Sequence, residues 1–433
     1  MRFGVNYTPS CGWFHAWLRP DWDSVQRDLD DIGALGLDHI RIFPLWPVLQ
    51  PNRTMINPSA LDDIRRMVDL AGRRGLDVYV DVLQGHLSSF DFLPSWLVTW
   101  HRRNMFTDPQ AVAAEAELVA AVYGSLDDLP NFKGLTLGNE CNQFAEEHHP
   151  AAMSVTPEQA GDWIDSLLAP VRQEAAGSGR VLLHSENDAV WYEDGHCFNP
   201  RHAAGKGDIT AIHSWVFNGT AQRYGARSEI AARHAEYLVE LARAFSPDPD
   251  RPIWLQEIGA PGNVIEAGDE ADFCEATVRH AAGCRGLYGI TWWCSHDVAS
   301  GMGDFPPFEH HLGLFDEGRR LKPIGRVFAS LAKEDGRGDD ASPDPRTTAI
   351  VIPCDDAGVP TKRSACAPGG SLFDRWMDLS QEGGRPTFVT SIDAADPAVM
   401  AKRKIDRLVR VEARSGDAYG AVSDPSLLHQ AVV

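Results

Sequence analysis

Gly134-Leu135-Thr136-Leu137-Gly138-Asn139-Glu140 reads as a short apolar strand that ends in an amide and a carboxylate. Ile253-Trp254-Leu255-Gln256-Glu257-Ile258-Gly259 repeats the pattern, an apolar run carrying one carboxylate near its end. Strands that are apolar throughout, rather than alternating, belong to parallel sheets covered on both faces. Two such strands, each delivering a Glu at its C-terminal end, suit a hydrolase that works with a pair of carboxylates.

Working outward, six further apolar runs have the same character, at 3–7, 39–43, 77–82, 181–184, 208–213 and 287–293. Between them lie segments with apolar residues at helical spacing, at about 21–36, 59–74, 109–126, 157–175, 228–245, 270–282 and 322–333. Residues 191–207 carry only a weak helical signal. Eight alternating units over about 330 residues predict an α/β chain folded as a (β/α)8 TIM barrel with enlarged loops. A doubly wound open sheet is disfavoured, because no early strand is followed by a glycine-rich dinucleotide or phosphate loop. The expected organisation is a barrel at 1–335, a Gly/Asp/Pro-rich linker at 336–346 and a small α/β C-terminal module at 347–433. Within the module, strands are expected at 348–352, 387–390 and 407–411, helices at 372–379 and 397–404, and a loosely ordered tail after Ala413.

The totals exclude several classes of function. Hydrophobic residues at 43% and charged residues at 23% describe an ordinary globular chain. A net charge of −21 argues against nucleic acid as a partner. No apolar run reaches the ~18 residues of a membrane span. The N-terminus lacks a secretory pattern, so a cytoplasmic location is expected. The eight cysteines form no C-x-x-C pair and are expected to be free thiols.

In a barrel, side chains at the C-terminal ends of strands converge on one face. That places Arg41, Asp81, Asn139, Glu140, His184, His213, Glu257 and Trp293 together. A lone Glu at a strand end is ordinarily a solvated carboxylate. Two of them, with Asn beside the first and His and Trp on later strands, form a specific pattern. Arg41-Ile42, Asn139-Glu140, His213, Glu257 and Trp293 resemble the retaining (β/α)8 glycoside hydrolases, and within them glycoside hydrolase family 5, which contains cellulases, mannanases and exo-acting β-glycosidases. The resemblance covers residues 1–335.

The resemblance implies Glu140 as acid/base and Glu257 as nucleophile, with Arg41, His86, Asn139, His213, Trp215 and Trp293 at the substrate. It implies no cofactor and no metal, and a small carbohydrate as the only partner; oligomeric state is left open. Retention requires carboxyls ~5–5.5 Å apart. Arg41 would keep Glu257 ionised, and the charge of Glu257 would raise the pKa of Glu140. Asn139 would donate to the sugar 2-hydroxyl, and Trp293 would provide a flat apolar floor. The chain departs from the family twice. Where His-x-Tyr follows strand six, this chain has His213-Ser214-Trp215, and the His after strand three is His86, five residues past Asp81, with Gln84 as a stand-in.

Trp13, Trp17, Trp46, Phe90, Trp96 and Trp292 are candidates for sugar-binding walls or for loop packing. Long loops after strands one, three, four and eight would narrow a cleft into a pocket and favour exo action on short chains. The opening Gly4-Val5-Asn6-Tyr7-Thr8-Pro9-Ser10 and Gly313-Leu314-Phe315-Asp316 resemble a bacterial branch associated with β-mannosides, including mannose-β-1,4-N-acetylglucosamine. Endo-β-1,4-glucanase or mannanase action is the alternative inside the family. From another class, Glu140, Glu186 or Asp188, His213 and Glu257 would suit a divalent-metal sugar isomerase. A non-catalytic sugar-binding barrel would lack one carboxylate, and both are present. The pairs His148-His149 and His310-His311 read as loop residues, solvated or lining the substrate.

Overall fold

A computed structural model describes residues 1–88, 90–98, 100–147, 149–335 and 346–419. Eight strands alternate with helices: β1 (Arg2–Asn6), α1 (Trp22–Ala34), β2 (His39–Ile42), α2 (Pro58–Gly72), β3 (Asp77–Asp81), α3 (Pro109–Gly124), β4 (Phe132–Thr136), α4 (Pro157–Ala175), β5 (Val181–Leu183), α5 (Pro200–Gly205), β6 (Thr210–Ser214), α6 (Glu229–Phe245), β7 (Ile253–Ile258), α7 (Glu270–Ala282), β8 (Leu287–Trp292) and α8 (Pro323–Asp335). They form one parallel sheet in the order β5-β4-β3-β2-β1-β8-β7-β6. The seam between β5 and β6 closes just ahead of β6, where the Asp208 N–H donates to the Leu182 carbonyl and the Leu182 N–H to the Asp208 carboxylate, each at 2.8 Å. The expected (β/α)8 barrel is the fold.

The helix starts follow from local chemistry. Asn57, Asp108, Thr156 and Asn199 each precede a proline, and each side chain accepts backbone N–H bonds from the first turn of α2, α3, α4 or α5. A polar cap with proline in the first turn uses a residue that has no N–H to leave unpaired. Asp21 caps α1, accepting from the Asp23 and Ser24 N–H groups. The weak signal at 191–207 resolves into two short pieces, Ala189–Tyr192 and α5. Each is too short to show a helical period.

The barrel floor is a packed polar-aromatic layer. His39 bonds Thr291 Oγ1 at 2.8 Å, Trp254 donates to the same oxygen at 2.7 Å, and Arg2 reaches Asp38, Asp77 and Tyr79. Gly4 is required there, since a Cβ would lie 2.3 Å from the His39 ring. The strand ends opposite this layer are where the converging side chains lie.

Beyond the barrel, β9 (Thr348–Ile352), α9 (Ser371–Gln381), β10 (Pro386–Thr390), α10 (Pro397–Arg403) and β11 (Arg407–Arg410) form a three-stranded parallel sheet, β10-β9-β11, with its helices. This unit covers α6. Tyr237 donates to the Cys366 carbonyl at 2.6 Å, packs against Phe373 and Trp376, and lies near Arg346, which bonds Glu236 at 2.6 Å. Helix α6 is therefore buried on both faces. The expected linker, apart from Arg346, lies outside the described residues, as does the chain after Tyr419. The expectation of a loose tail after Ala413 fails for 414–419. Asp417 is buried and takes bonds from the Ser371 N–H and hydroxyl, and Tyr419 donates to Asp188 at 3.0 Å. Among the described residues no helix is long and apolar enough to cross a membrane.

Gly134 supports the strand that leads to the Asn139-Glu140 pair. Its φ is 153°, and a Cβ would lie 2.0 Å from the Val181 carbonyl oxygen on the neighbouring strand. Backbone cannot give way as a side chain can, so Gly134→Ala should destabilise the fold by ~1–3 kcal/mol. Calorimetry checks this: a clear drop in Tm is expected, and an unchanged Tm would contradict the close approach.

Candidate active site

Arg41, at the end of β2, is fully buried and spends all five N–H groups inside the protein. Nε and Nη2 grip Asp81 at 2.8 and 2.7 Å, Nη1 reaches Glu257 at 2.8 Å and Asn6 at 3.3 Å, and Nη2 also reaches Asn139 at 2.8 Å. No donor remains for a ligand. Arg41 is a positioning residue rather than the substrate-binding residue expected from the sequence.

Both glutamates lie at this face. The strand that leads to Glu140 ends at Thr136, so Leu137–Glu140 form a loop rather than the strand the apolar run suggests. Glu140 has φ 47° and ψ 39°, and it heads a short helical turn, Cys141–Ala145. A non-glycine residue held there costs ~1–3 kcal/mol, and such residues cluster at functional sites. Its Oε1 lies 2.7 Å from His213 Nδ1, and its Oε2 accepts from Gln143 at 2.5 Å. Glu257 Oε2 is 3.4 Å from the same His213 nitrogen. One carboxyl oxygen of each glutamate and a ring nitrogen of His213 fall within 4.8 Å of one another. That spacing is well short of the ~6.5 Å at which an inverting pair begins.

A bulge makes this possible. Ile212 pairs with Leu255 but His213 with Glu257, so Gln256 is the extra residue on β7. A bulge re-aims side chains that would otherwise alternate. Gln256 and Glu257 thus both meet His213. Gln256 Nε2 donates to Thr136, which turns its carbonyl oxygen to His213 Nε2 at 3.1 Å. His213 Nε2 therefore carries hydrogen, and its Nδ1 shares a proton with Glu140.

The electrostatics follow. Burial alone would lower the pKa of His213, but the charge of Glu257 and the bond to Glu140 hold it above its ordinary value. Burial would raise Glu140, but the bond to His213 and its charge hold that carboxyl below its ordinary value. The expected rise of Glu140 beside Glu257 thus meets a stronger opponent in His213. Burial pushes Glu257 up, with His213 and Arg41 acting against it.

The remaining expected residues divide. Asn139 gives its oxygen to Arg41, while its Nδ2 is 3.5 Å from the His86 carbonyl and keeps donor capacity. Trp293 is buried against Phe43 and Phe14, and the peptide that follows it is cis. Trp215 answers the missing family Tyr, because its indole N–H donates to Glu257 Oε2 at 3.3 Å. The ring of His86 is held by Asp91 at 3.0 Å, and Gln84 is buried beneath it. Trp46 and Trp292 are wholly buried, and Trp13, Trp17 and Trp96 nearly so, which makes them packing residues; Phe90 is half-buried. His149 pairs with Asp91 at 3.2 Å, His310 bonds the Val298 carbonyl, and His148 lies outside the described residues. Glu186 is taken by His184, and Asp188 by Asn218 and Tyr419, so neither joins Glu140, His213 and Glu257, the three of the isomerase ligand set that do converge.

Sequence reasoning missed Gln143, which donates to Glu140, and Gln256, which adjoins Glu257 but bonds His213. It also missed Glu309, on the one-turn helix Pro307–His311, where burial and then the charge of Glu257 push the carboxyl to about 7.

No protein-family model and no curated protein matches the sequence. Solved structures do. A GH5_18 protein from Bifidobacterium longum subsp. longum ATCC 55813 is 56% identical, with TM-score 0.94 over 97% of this chain and 100% of the other. The chain belongs to glycoside hydrolase family 5, in the group GH5_18. A GH5_18 protein from Streptomyces cattleya, solved with Manβ1-4GlcNAc, is 52% identical with TM-score 0.91 over 94% of this chain and 98% of that one. The exo-β-1,4-mannosidase Op5Man5 from Opitutaceae bacterium strain TAV5, at 20% identity and TM-score 0.77, shares the fold. This GH5_18 chain is a retaining β-glycoside hydrolase, and the isomerase alternative falls.

In this GH5_18 site the Trp215 N–H stands where the family offers a tyrosine hydroxyl. Removing one hydrogen bond to a charged group costs ~1.5–3 kcal/mol. Trp215→Phe should therefore lower kcat by roughly 10–100-fold with little change in Tm. Unchanged kcat would show that the indole N–H does not serve Glu257.

Proposed function

We propose that Glu257 is the nucleophile and Glu140 the acid/base of an exo-acting β-mannoside hydrolase that cleaves mannose-β-1,4-N-acetylglucosamine. The observation that carries the roles is the close triad of Glu140, His213 and Glu257, with Glu257 held by Arg41 and Trp215 and Glu140 left to the histidine. The substrate rests on the relatives solved with Manβ1-4GlcNAc, from B. longum and S. cattleya.

The triad holds one proton across three groups. In the free site it lies on the His213 side of the 2.7 Å bond, leaving Glu140 ionised, while His213 and Arg41 oppose the burial that raises Glu257. Transfer along that bond to Glu140 arms the acid while Glu257 keeps its charge for attack on the anomeric carbon. Glu257 then carries the glycosyl group, and Glu140, having given its proton to the leaving oxygen, draws one from water in the second step. Asn139 Nδ2 is the donor for the sugar 2-hydroxyl, and Trp293 and His86 border the sugar. Exo action is supported by an aromatic cluster joining the loops after β1, β3 and β8. There Trp13 contacts Phe90 and Phe305 at 5.1 and 4.7 Å, and Phe90 meets Phe305 at 4.8 Å.

The same reading takes 1–335 as the catalytic barrel and the chain from 347 as a supporting module. It also keeps a cytoplasmic location, which eight free cysteines support.

The purified enzyme should release mannose from Manβ1-4GlcNAc and leave polymeric mannan and glucan intact. Glu257→Ala should lose several orders of magnitude in kcat on aryl β-mannosides, and azide should restore turnover as the α-mannosyl azide. Full activity in Glu257→Ala would overturn the assignment. The pH profile tests the shared proton. Because His213 is raised from 6.5, the alkaline limb of kcat/KM should lie above that pH, and a limb below it would contradict the proton's placement.

A further inference from the structure

At the opposite end of the barrel from Glu140 and Glu257, the C-terminal unit and the barrel enclose a cleft of about 50 Å³. Its barrel wall includes Pro249, Gly283 and Arg285, which precede β7 and β8 and so lie at the N-terminal ends of those strands. Five arginines line it, Arg243, Arg285, Arg346, Arg385 and Arg403, against one carboxylate, Glu240. The chain as a whole carries a net charge of −21, so this is a local reversal of sign.

These guanidiniums are fastened largely by carbonyl oxygens, which hold a group in place without cancelling its charge. Arg243 donates to the carbonyls of Pro249 and Arg285. Arg403 donates to those of Arg243 and Ser246, at 3.0 and 2.9 Å, and to Asp393. Arg385 donates to the Gly283 carbonyl at 2.6 Å and has no ion-pair partner among the described residues. Arg285 pairs with Asp250 on the outside, and Arg346 shares Glu236 and Glu240. Two buried donors make no hydrogen bond, Nε of Arg243, which is 3.8 Å from Glu240, and Nε of Arg403, whose side chain is only 6% exposed. Burial lowers the pKa of Arg403 in spite of Asp393. Arg285 and Arg385 are exposed at the rim and leave the cleft open to solvent.

We propose that this cleft binds a small tetrahedral oxyanion of the phosphate class, clamped between the barrel and the C-terminal unit. Planar guanidinium forks match the oxygens of such an anion, and the five guanidiniums outnumber the four carboxylates paired with them, Glu236, Glu240, Asp250 and Asp393. A single water occupies ~10–15 Å³ on the same measure, so the cleft has room for several waters or one such group. The ligand touches arginines from both parts of the chain, so it stabilises their contact by mass action and leaves the glycosidic chemistry alone.

The full chain should be melted against rising inorganic phosphate, with chloride holding ionic strength constant. Binding predicts a saturable rise in Tm of about 3 °C. A parallel titration with a hexose phosphate identifies the source, the tighter of the two being the natural form. Arg385→Gln removes an exposed side chain with one bond to a carbonyl; it should fold, keep its hydrolytic rate and bind phosphate at least fivefold more weakly. Line broadening of the phosphate 31P resonance by wild type, lost in Arg385→Gln, provides a second reading. A shift that chloride reproduces, or one unchanged in both Arg385→Gln and Arg285→Gln, would overturn the site.

Discussion

A guanidinium with no contact to water must have every donor met and its charge matched, and Arg41 meets both conditions through side chains from four strands or the loops after them. Asp81 takes it bidentately, Glu257 and Asn139 take one bond each, and Asn6 takes the last, long one. Breaking such a buried pair costs ~3–5 kcal/mol, because the partner is left charged and alone. The geometry is thereby locked. Asn6 in turn donates to the carbonyls of Gln256 and Trp292, which ties the same centre to β7 and β8. One buried cation thus sets the places of Glu257 and Asn139 and, through Asn6, ties them to the strand that leads to Trp293.

The two glutamates are made unequal by what surrounds them. Glu257 faces a fixed positive charge and an indole N–H, neither of which gives up a proton at working pH. Glu140 faces an imidazole, which does. The difference between the two glutamates therefore lies in the chemistry of their partners. Burial is close to the same for both. Gln256, turned inward by its bulge, completes the arrangement by fixing which nitrogen of His213 faces Glu140.

The C-terminal unit reaches further into the molecule than a separate appendage would. Its sheet and helix α9 cover α6, and Tyr419 grips Asp188 in the loop after β5. Asn187, beside Asp188, is bonded to Asn142, which belongs to the turn headed by Glu140. Hydrogen bonds at the adjacent residues Asp188 and Asn187 therefore join the end of the described chain to the loop of Glu140. On the far side of the barrel the contact between the two parts is built from arginines.

Much of this was legible in the chain. Eight apolar runs at regular spacing, the cap-proline helix starts and the Asn139-Glu140 and Glu257 strand ends are local signals, and local signals set periodicity, burial and chain direction. They suffice for a barrel and for the face on which two carboxylates meet. Distances between side chains far apart in sequence are another matter, since they depend on strand register and closure. Only the fold shows that Arg41 has no donor to spare, that a bulge turns Gln256 beside Glu257, and that Trp215 replaces a tyrosine through its indole N–H. Glu309 and Tyr419 enter the same neighbourhood from loops with no period to read. The sequence by itself determined at which end of the barrel the two glutamates gather. Tertiary structure decided what Glu140 meets, because that depends on a 2.7 Å contact with His213, a residue 73 positions away.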